Sequence, residues 1–88
     1  ALVINPMDNV AVVADSVGAG EAICLMPART VLTAAGDIPS CHKVSVRPIE
    51  KGENIIKYGE VIGCATEDIP GGAHVHEHNM ASVLRTGN

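Results

Sequence analysis

One spacing recurs four times along this chain: an aliphatic residue, two others, a glycine, two more, and a second aliphatic residue. It runs Val17-Gly18-Ala19-Gly20-Glu21-Ala22-Ile23, then Ile49-Glu50-Lys51-Gly52-Glu53-Asn54-Ile55, then Ile69-Pro70-Gly71-Gly72-Ala73-His74-Val75. A further copy, Ile38-Pro39-Ser40-Cys41-His42-Lys43-Val44, carries cysteine where the others carry glycine. The pattern predicts a tight turn held by apolar side chains on both sides, with a positive-φ residue launching the next strand. A chain interrupted this often has no room for long helices, and no segment sustains a 3.6-residue hydrophobic period.

The predicted fold is therefore all-β, a compact barrel-like or clip-like domain of short strands. The core has neither Phe nor Trp and is filled mostly by eleven Val and eight Ile, β-branched residues that suit a pleated sheet. Residues 10–14 (Val10 to Ala14) are apolar throughout and read as a strand buried on both faces. Val44 and Val46 alternate with Lys43, Ser45 and Arg47, the pattern of a half-buried strand. Further strands are expected at Leu2 to Ile4, Ala22 to Leu25, Thr30 to Leu32, Ile55-Ile56, Glu60 to Thr66 and Ala73 to Glu77. Any helix is limited to a turn or two, near Pro48 to Lys51 or after Asn79, and Thr86 to Asn88 reads as a frayed tail. Residues 1–88 read as a single domain without a linker.

A net charge of −4, with six scattered basic residues, argues against a nucleic-acid partner. There is no apolar run long enough for a membrane span and no signal-peptide pattern, so the expected location is the cytoplasm. Cys24, Cys41 and Cys64 are odd in number and contain no CxxC pair, which suits reduced thiols. Cys24 and Cys64 are expected to be buried as small hydrophobes.

Chemistry concentrates in two places. In His74-Val75-His76-Glu77-His78-Asn79 three imidazoles fall at alternate positions, so a strand would turn His74, His76 and His78 to one face. Such a face can ligate a divalent metal (Fe, Mn or Zn), bind an anion or move protons; the plainer alternative is a solvated polar strand face. Upstream, His42-Lys43 leaves a turn with its side chains on opposite faces, and Lys57-Tyr58 precedes Gly59. Lys43 could hold a carboxylate, and Tyr58 either packs or donates its phenol to a ligand. Gly59 and Gly63 mark places where the backbone turns or lies close to a neighbour. Asp8-Asn9 is explained by local turn chemistry.

The ordered series Asp8-Asn9-Val10, His42-Lys43-Val44, the residues from Ile55 to Gly63 (IIKYGEVIG) and His74 to Asn79 (HVHEHN) resembles the N-terminal domain of the altronate dehydratase family of sugar-acid dehydratases. That domain is a SAF, or β-clip, domain, and the resemblance runs from about Asp8 to Asn79. Cys41 departs from the family, which usually has glycine there. The resemblance implies β-elimination from a hydroxy acid, altronate- or galactarate-like, with His42, Lys43 and Tyr58 as catalytic candidates and His74, His76 and His78 as metal candidates. The large catalytic region of one-chain dehydratases is not in this sequence. The implied partner is a large dehydratase-like subunit, as in two-component members such as sulfolactate sulfo-lyase, with the small chain inactive alone. A non-catalytic sugar-acid-binding module, a regulatory subunit that closes over a partner's site, and a homo-oligomer remain open at this point.

Overall fold

The structure, a computed structural model, describes residues 6–26 and 29–82. The expected strand at Leu2 to Ile4 and the tail at Thr86 to Asn88 lie outside the described residues. Eight short strands follow one another: β1 (Val10–Val12), β2 (Ala22–Leu25), β3 (Thr30–Thr33), β4 (Lys43–Ser45), β5 (Asn54–Lys57), β6 (Glu60–Ala65), β7 (His74–Val75) and β8 (Met80–Ser82). They form three small antiparallel sheets ordered β1-β4-β7, β2-β3 and β5-β6-β8. The described residues contain no helix, and none is long and apolar enough to cross a membrane. Pro48 to Lys51 is instead a bridge and a turn, and the chain after Asn79 enters β8.

The four repeated segments build four equivalent turns. In each, the carbonyl of the second residue accepts a bond from the N–H of the fifth: Glu21 to Gly18, His42 to Pro39, Glu53 to Glu50 and Ala73 to Pro70, all at 2.9–3.2 Å. The fourth residue of each has positive φ: Gly20 (85°), Cys41 (64°), Gly52 (89°) and Gly72 (85°). This is the signature of a type II turn. Each positive-φ residue then donates its N–H to the carbonyl of a residue in or just after a strand, and that residue donates back to the next turn carbonyl. The reciprocal partners are Ala34, Val13, Ala65 and Ser45, at 2.8–3.0 Å with one closer bond of 2.7 Å from Gly72 to Ser45.

Shifting the numbering by 31 or 32 maps Val17 on Ile49, Ile38 on Ile69, and Gly20 and Cys41 on Gly52 and Gly72. The isolated bridges Val17↔Ile38 and Ile49↔Ile69 correspond under this shift. So do the side-chain caps, Asp37 on the Ala19 N–H (2.9 Å) and Asp68 on the Lys51 N–H (2.8 Å), and the back-bonds of Glu21 to Gly18 and Glu53 to Glu50. The domain is thus two like halves, each with its own apolar cluster.

Ala11, Val13, Ile23, Leu25, Ala34, Ile38 and Val44 fill one cluster, and Val10, Ile49, Ile55, Ala65, Ile69 and Val75 fill the other. The apolar run is buried on both sides as expected, Val10 serving one cluster and Ala11 with Val13 the other, but β1 ends at Val12 and Ala14 is exposed. β4 does not alternate as expected. Ser45 is fully buried, and its Oγ lies 2.9 Å from the carbonyls of both Arg47 and Pro70, which its hydroxyl hydrogen serves. Cys24 is exposed rather than buried, because alternation along β2 sends Ile23 and Leu25 inward; Cys64 is only half-buried, and none of the three cysteines is in a disulfide.

Gly63 and Gly72 are there for close approach. A Cβ at Gly63 would collide with the Ala81 carbonyl, and one at Gly72 with the Thr33 carbonyl. Cys41 takes the same backbone conformation with a side chain attached, at a strain of roughly 1–2 kcal/mol. Glycine there would relieve that strain but lose about 0.5–1 kcal/mol to unfolded-state freedom. Cys41→Gly should therefore raise stability by about 0.5–1 kcal/mol, while Gly72→Ala should lower it by more than about 2 kcal/mol. Urea unfolding midpoints of the two variants check both signs.

Candidate functional site

β4 and β7 lie side by side, with Val44 opposite His74 and Lys43 opposite Val75. His42 leads into β4 directly after the Cys41 turn, and its carbonyl is fixed by the Val13 N–H at 3.0 Å. The sequence pattern suggests a strand from Ala73 to Glu77, but β7 stops at Val75. The cause is Asn79, which is buried. Its Oδ1 accepts the His76 N–H at 3.0 Å, its Nδ2 donates to the His74 carbonyl at 2.9 Å, and its own N–H bonds the His76 carbonyl at 3.0 Å. The Asn79 carbonyl in turn accepts from Thr66 at 3.0 Å, tying the turn to the end of β6. A tight turn, rather than strand alternation, therefore displays the imidazoles.

That turn folds the histidines against His42. His42 Nδ1 and His74 Nε2 are 2.8 Å apart, a hydrogen bond in which one ring must donate and the other accept. The His42 ring stacks on His76 with centroids 4.5 Å apart, and the His74 and His76 rings are near parallel at 5.6 Å and 11°. His78 reaches the group through His74, at 5.2 Å between centroids. His42, His74 and His76 each offer one ring nitrogen, and the three nitrogens lie within 4.8 Å of one another. All three side chains are half-buried.

Three convergent neutral imidazoles suit a first-row divalent ion, whose Zn–N distances of ~2.0–2.1 Å put tetrahedral ligand nitrogens about 3.3 Å apart. The donor set therefore fits such an ion once the His42–His74 bond opens by about half an ångström. The grouping differs in membership from the triplet read off the sequence, with His42 joining His74 and His76 while His78 stands at the edge.

Burial lowers the His74 pKa from its ordinary value, and the neighbouring charges of His42, His78, His76 and Lys43 lower it further. Lys43 is lowered too, first by burial and then by the Lys57 ammonium. Lys57 closes the β5–β6 hairpin, where Tyr58 (φ 55°) and Gly59 (φ 77°) form a two-residue turn with both residues at positive φ. The Lys57 ammonium sits 4.9 Å from the centroid of the Tyr58 ring, which is 55% exposed. Tyr58 is therefore not a core residue.

Asp8 and Asn9 do more than local turn chemistry. Asp8 Oδ1 accepts the Gly59 N–H at 2.7 Å, and the Asn9 side chain accepts from Ile56 at 2.7 Å and donates to Asn54 at 2.8 Å. Both are buried, and they hold the Lys57-Tyr58 hairpin against β1 from some fifty positions away in sequence. No sequence periodicity marks Asp8, Asn9 or Asn79 for these tasks; an amide or carboxylate beside an apolar strand was the only signal.

Because the folded-state pKa of His74 is lowered, the unfolded chain binds its proton more tightly. Its contribution to stability is complete above the ordinary imidazole pKa of ~6.5 and is lost as pH falls below it. Unfolding midpoints measured at pH 7.5 and 5.5 should fall toward acid, and His74→Asn should flatten that slope.

The family model for the altronate/galactarate dehydratase SAF domain matches residues 1–83. The chain is 40% identical over 81 residues to the altronate dehydratase of Escherichia coli K12, and 34% identical over 81 residues to that of Bacillus subtilis 168. Each match covers 92% of this chain but 16% of the relative, so the chain spans about a sixth of those enzymes. It is also 48% identical over 48 residues to the (2R)-sulfolactate sulfo-lyase subunit alpha of Paracoccus pantotrophus, covering 54% of this chain and 72% of that subunit. With an all-strand architecture and a match along nearly its whole length, the chain belongs to the SAF domain family of the altronate and galactarate dehydratases.

Proposed function

We propose that this chain is the SAF component of a hydroxy-acid lyase, acting as a small subunit beside a large catalytic chain and presenting its imidazole group to the substrate. The observation that carries the reading is the convergence of His42, His74 and His76, half-buried and hydrogen-bonded, on a rigid β scaffold. Relatives that are a domain of altronate dehydratase or a subunit of a sulfo-lyase support the reaction class.

Elimination next to a carboxylate removes a weakly acidic α-proton and protonates a departing hydroxyl. His74, kept neutral by its surroundings, is suited to accept a proton, and His42 at 2.8 Å is suited to pass it on. Lys43, whose charge acts on His74, adds a cation nearby. In place of that proton pair, a divalent ion (Fe, Mn or Zn) held by His42, His74 and His76 would open the His42–His74 bond and stabilise negative charge gathering on the substrate carboxylate. The described residues supply no full set of acid, base and electrophile without help, so the isolated chain should be inactive.

Two measurements test this. Alone, the purified chain should not turn over altronate, galactarate or sulfolactate, whereas a complex with a dehydratase-like large chain should act on one of them. His42→Ala and His74→Ala should cut that activity at least tenfold without weakening assembly. Robust turnover by the isolated chain would refute the subunit role, and unchanged activity in both variants would leave the protein a non-catalytic module. In calorimetric titration with Zn²⁺ or Mn²⁺, wild type should bind more tightly than His42→Ala or His76→Ala, and more weakly as pH falls through ~6.5, because imidazolium cannot ligate. Equal heats in all three proteins would remove the metal from the account.

A further inference from the structure

In the second half of the domain β6 has a strand on each side, β5 and β8. Its counterpart in the first half, β3, has only β2 beside it among the described residues. The two halves part at one carbonyl. Just past β6, the Thr66 N–H donates to the Asn79 carbonyl at 3.0 Å, and from there the chain runs on as β8 against Ala65, Cys64 and Gly63. Just past β3, the equivalent Ala35 N–H donates to the Gly72 carbonyl at 2.8 Å, but the chain then leaves for β7. The outer edge of β3 therefore starts as that of β6 does and stays uncovered by described residues from Thr33 back to the turn at Arg29.

Alternation fixes which groups that edge presents. Ala34 turns both its backbone groups to the β2 side, its N–H to the Glu21 carbonyl at 2.9 Å and its carbonyl to the Gly20 N–H at 2.8 Å. Successive residues of an antiparallel ladder point opposite ways, so Val31 and Thr33 turn theirs outward. The Thr33 carbonyl meets Gly72, while Val31 stands at the middle of the stretch from Arg29 to Thr33 with its N–H and carbonyl both facing out. The strand also lacks the devices that guard an edge. Thr30-Val31-Leu32-Thr33 has no charge and no proline, and its pairing with β2 runs without the register shift found in β5 at Ile55/Ile56. On the outer face Ala22 and Cys24 stand opposite Thr33 and Val31, and all four are uncharged and exposed, Val31 at 65%.

We infer that β3 pairs with β3 of a second copy of this chain across a two-fold axis at Val31, joining the two β2–β3 hairpins into one four-stranded antiparallel sheet. Self-pairing about a two-fold axis needs an outward-facing residue at its centre, and Val31 is one: it exchanges both backbone bonds with its own copy. The axis sets Val31 against Val31, Thr30 against Leu32 and Arg29 against Thr33, so no charge meets itself. In a chain of net charge −4, a neutral strand is where two copies approach at least electrostatic cost. The antiparallel direction is the one in which β8 already lies on β6. The dimer does not depend on the lyase reading.

The test is sedimentation of the 88-residue chain over a concentration series, with amide hydrogen exchange followed on the same samples. A monomer–dimer equilibrium is expected, with the Val31 amide protected in the dimer and exchanging freely on dilution. Val31→Pro removes an N–H that faces outward and leaves the β2–β3 ladder its bonds, so it should weaken the dimer at least tenfold while the dilute monomer unfolds at the wild-type midpoint. Val31→Lys places two ammoniums at the axis and should also dissociate the dimer, more completely at low salt; it reads the edge even where the proline variant fails to fold. Val61→Lys, at an exposed position of β6 in the other half, should leave the dimer intact. A monomer at every concentration, or a dimer that survives both Val31 variants, overturns the proposal. Protection of the Val31 amide that arises only when a dehydratase-like large chain is added overturns it too, and assigns the edge to that partner.

Discussion

Everything in this domain hangs on four reciprocal pairs of backbone bonds between a positive-φ turn residue, its successor and one residue in or just after a strand. They join residues 20 and 21 to Ala34, 41 and 42 to Val13, 52 and 53 to Ala65, and 72 and 73 to Ser45. A chain of this size cannot bury a large core, and here the apolar material is split into two clusters with only aliphatic side chains in them. Short strands of two to six residues would fray on their own. Closing each strand with a turn that returns two bonds to it removes the fraying ends and satisfies backbone groups that burial would otherwise leave unpaired.

The same device builds the site. Cys41 and Gly72 are counterparts in the two halves, and each turn delivers the residues that follow it into adjacent strands of one sheet. His42 comes one residue after the first turn and His74 two after the second, so the pairing of β4 with β7 brings together side chains far apart in sequence. Asn79 then bends the chain back, adding His76 to the face of His42.

Much of the architecture was legible in the sequence, because glycine at fixed spacing between aliphatic residues has few other physical meanings. The all-β class, the turn at Cys41 with its positive φ, and a β1 buried on both sides were readable from residue type and period alone. What escaped was set by single buried polar side chains. Alternation implied a strand through Glu77, and Asn79 overrode it with three bonds that no periodicity reveals. Ser45 looked like the outward member of an alternating strand, but two carbonyls within reach of its hydroxyl let it sit fully buried. The duplication was visible as repeated spacing, but the pairing of equivalent bridges needed three dimensions, since local pattern does not say which turn faces which.

The central claim is that His42 and His74 form one hydrogen-bonded pair held by the fold, not separate surface imidazoles. Long-range ¹H–¹⁵N correlation of the ring nitrogens at pH 7.5 reads this directly. The account predicts fixed and complementary tautomers, with either His42 Nδ1 or His74 Nε2 protonated and its partner an acceptor, and a shared perturbation in both rings when either is replaced. Four rings showing the averaged tautomers of free imidazole, unaffected by one another's substitution, would contradict it.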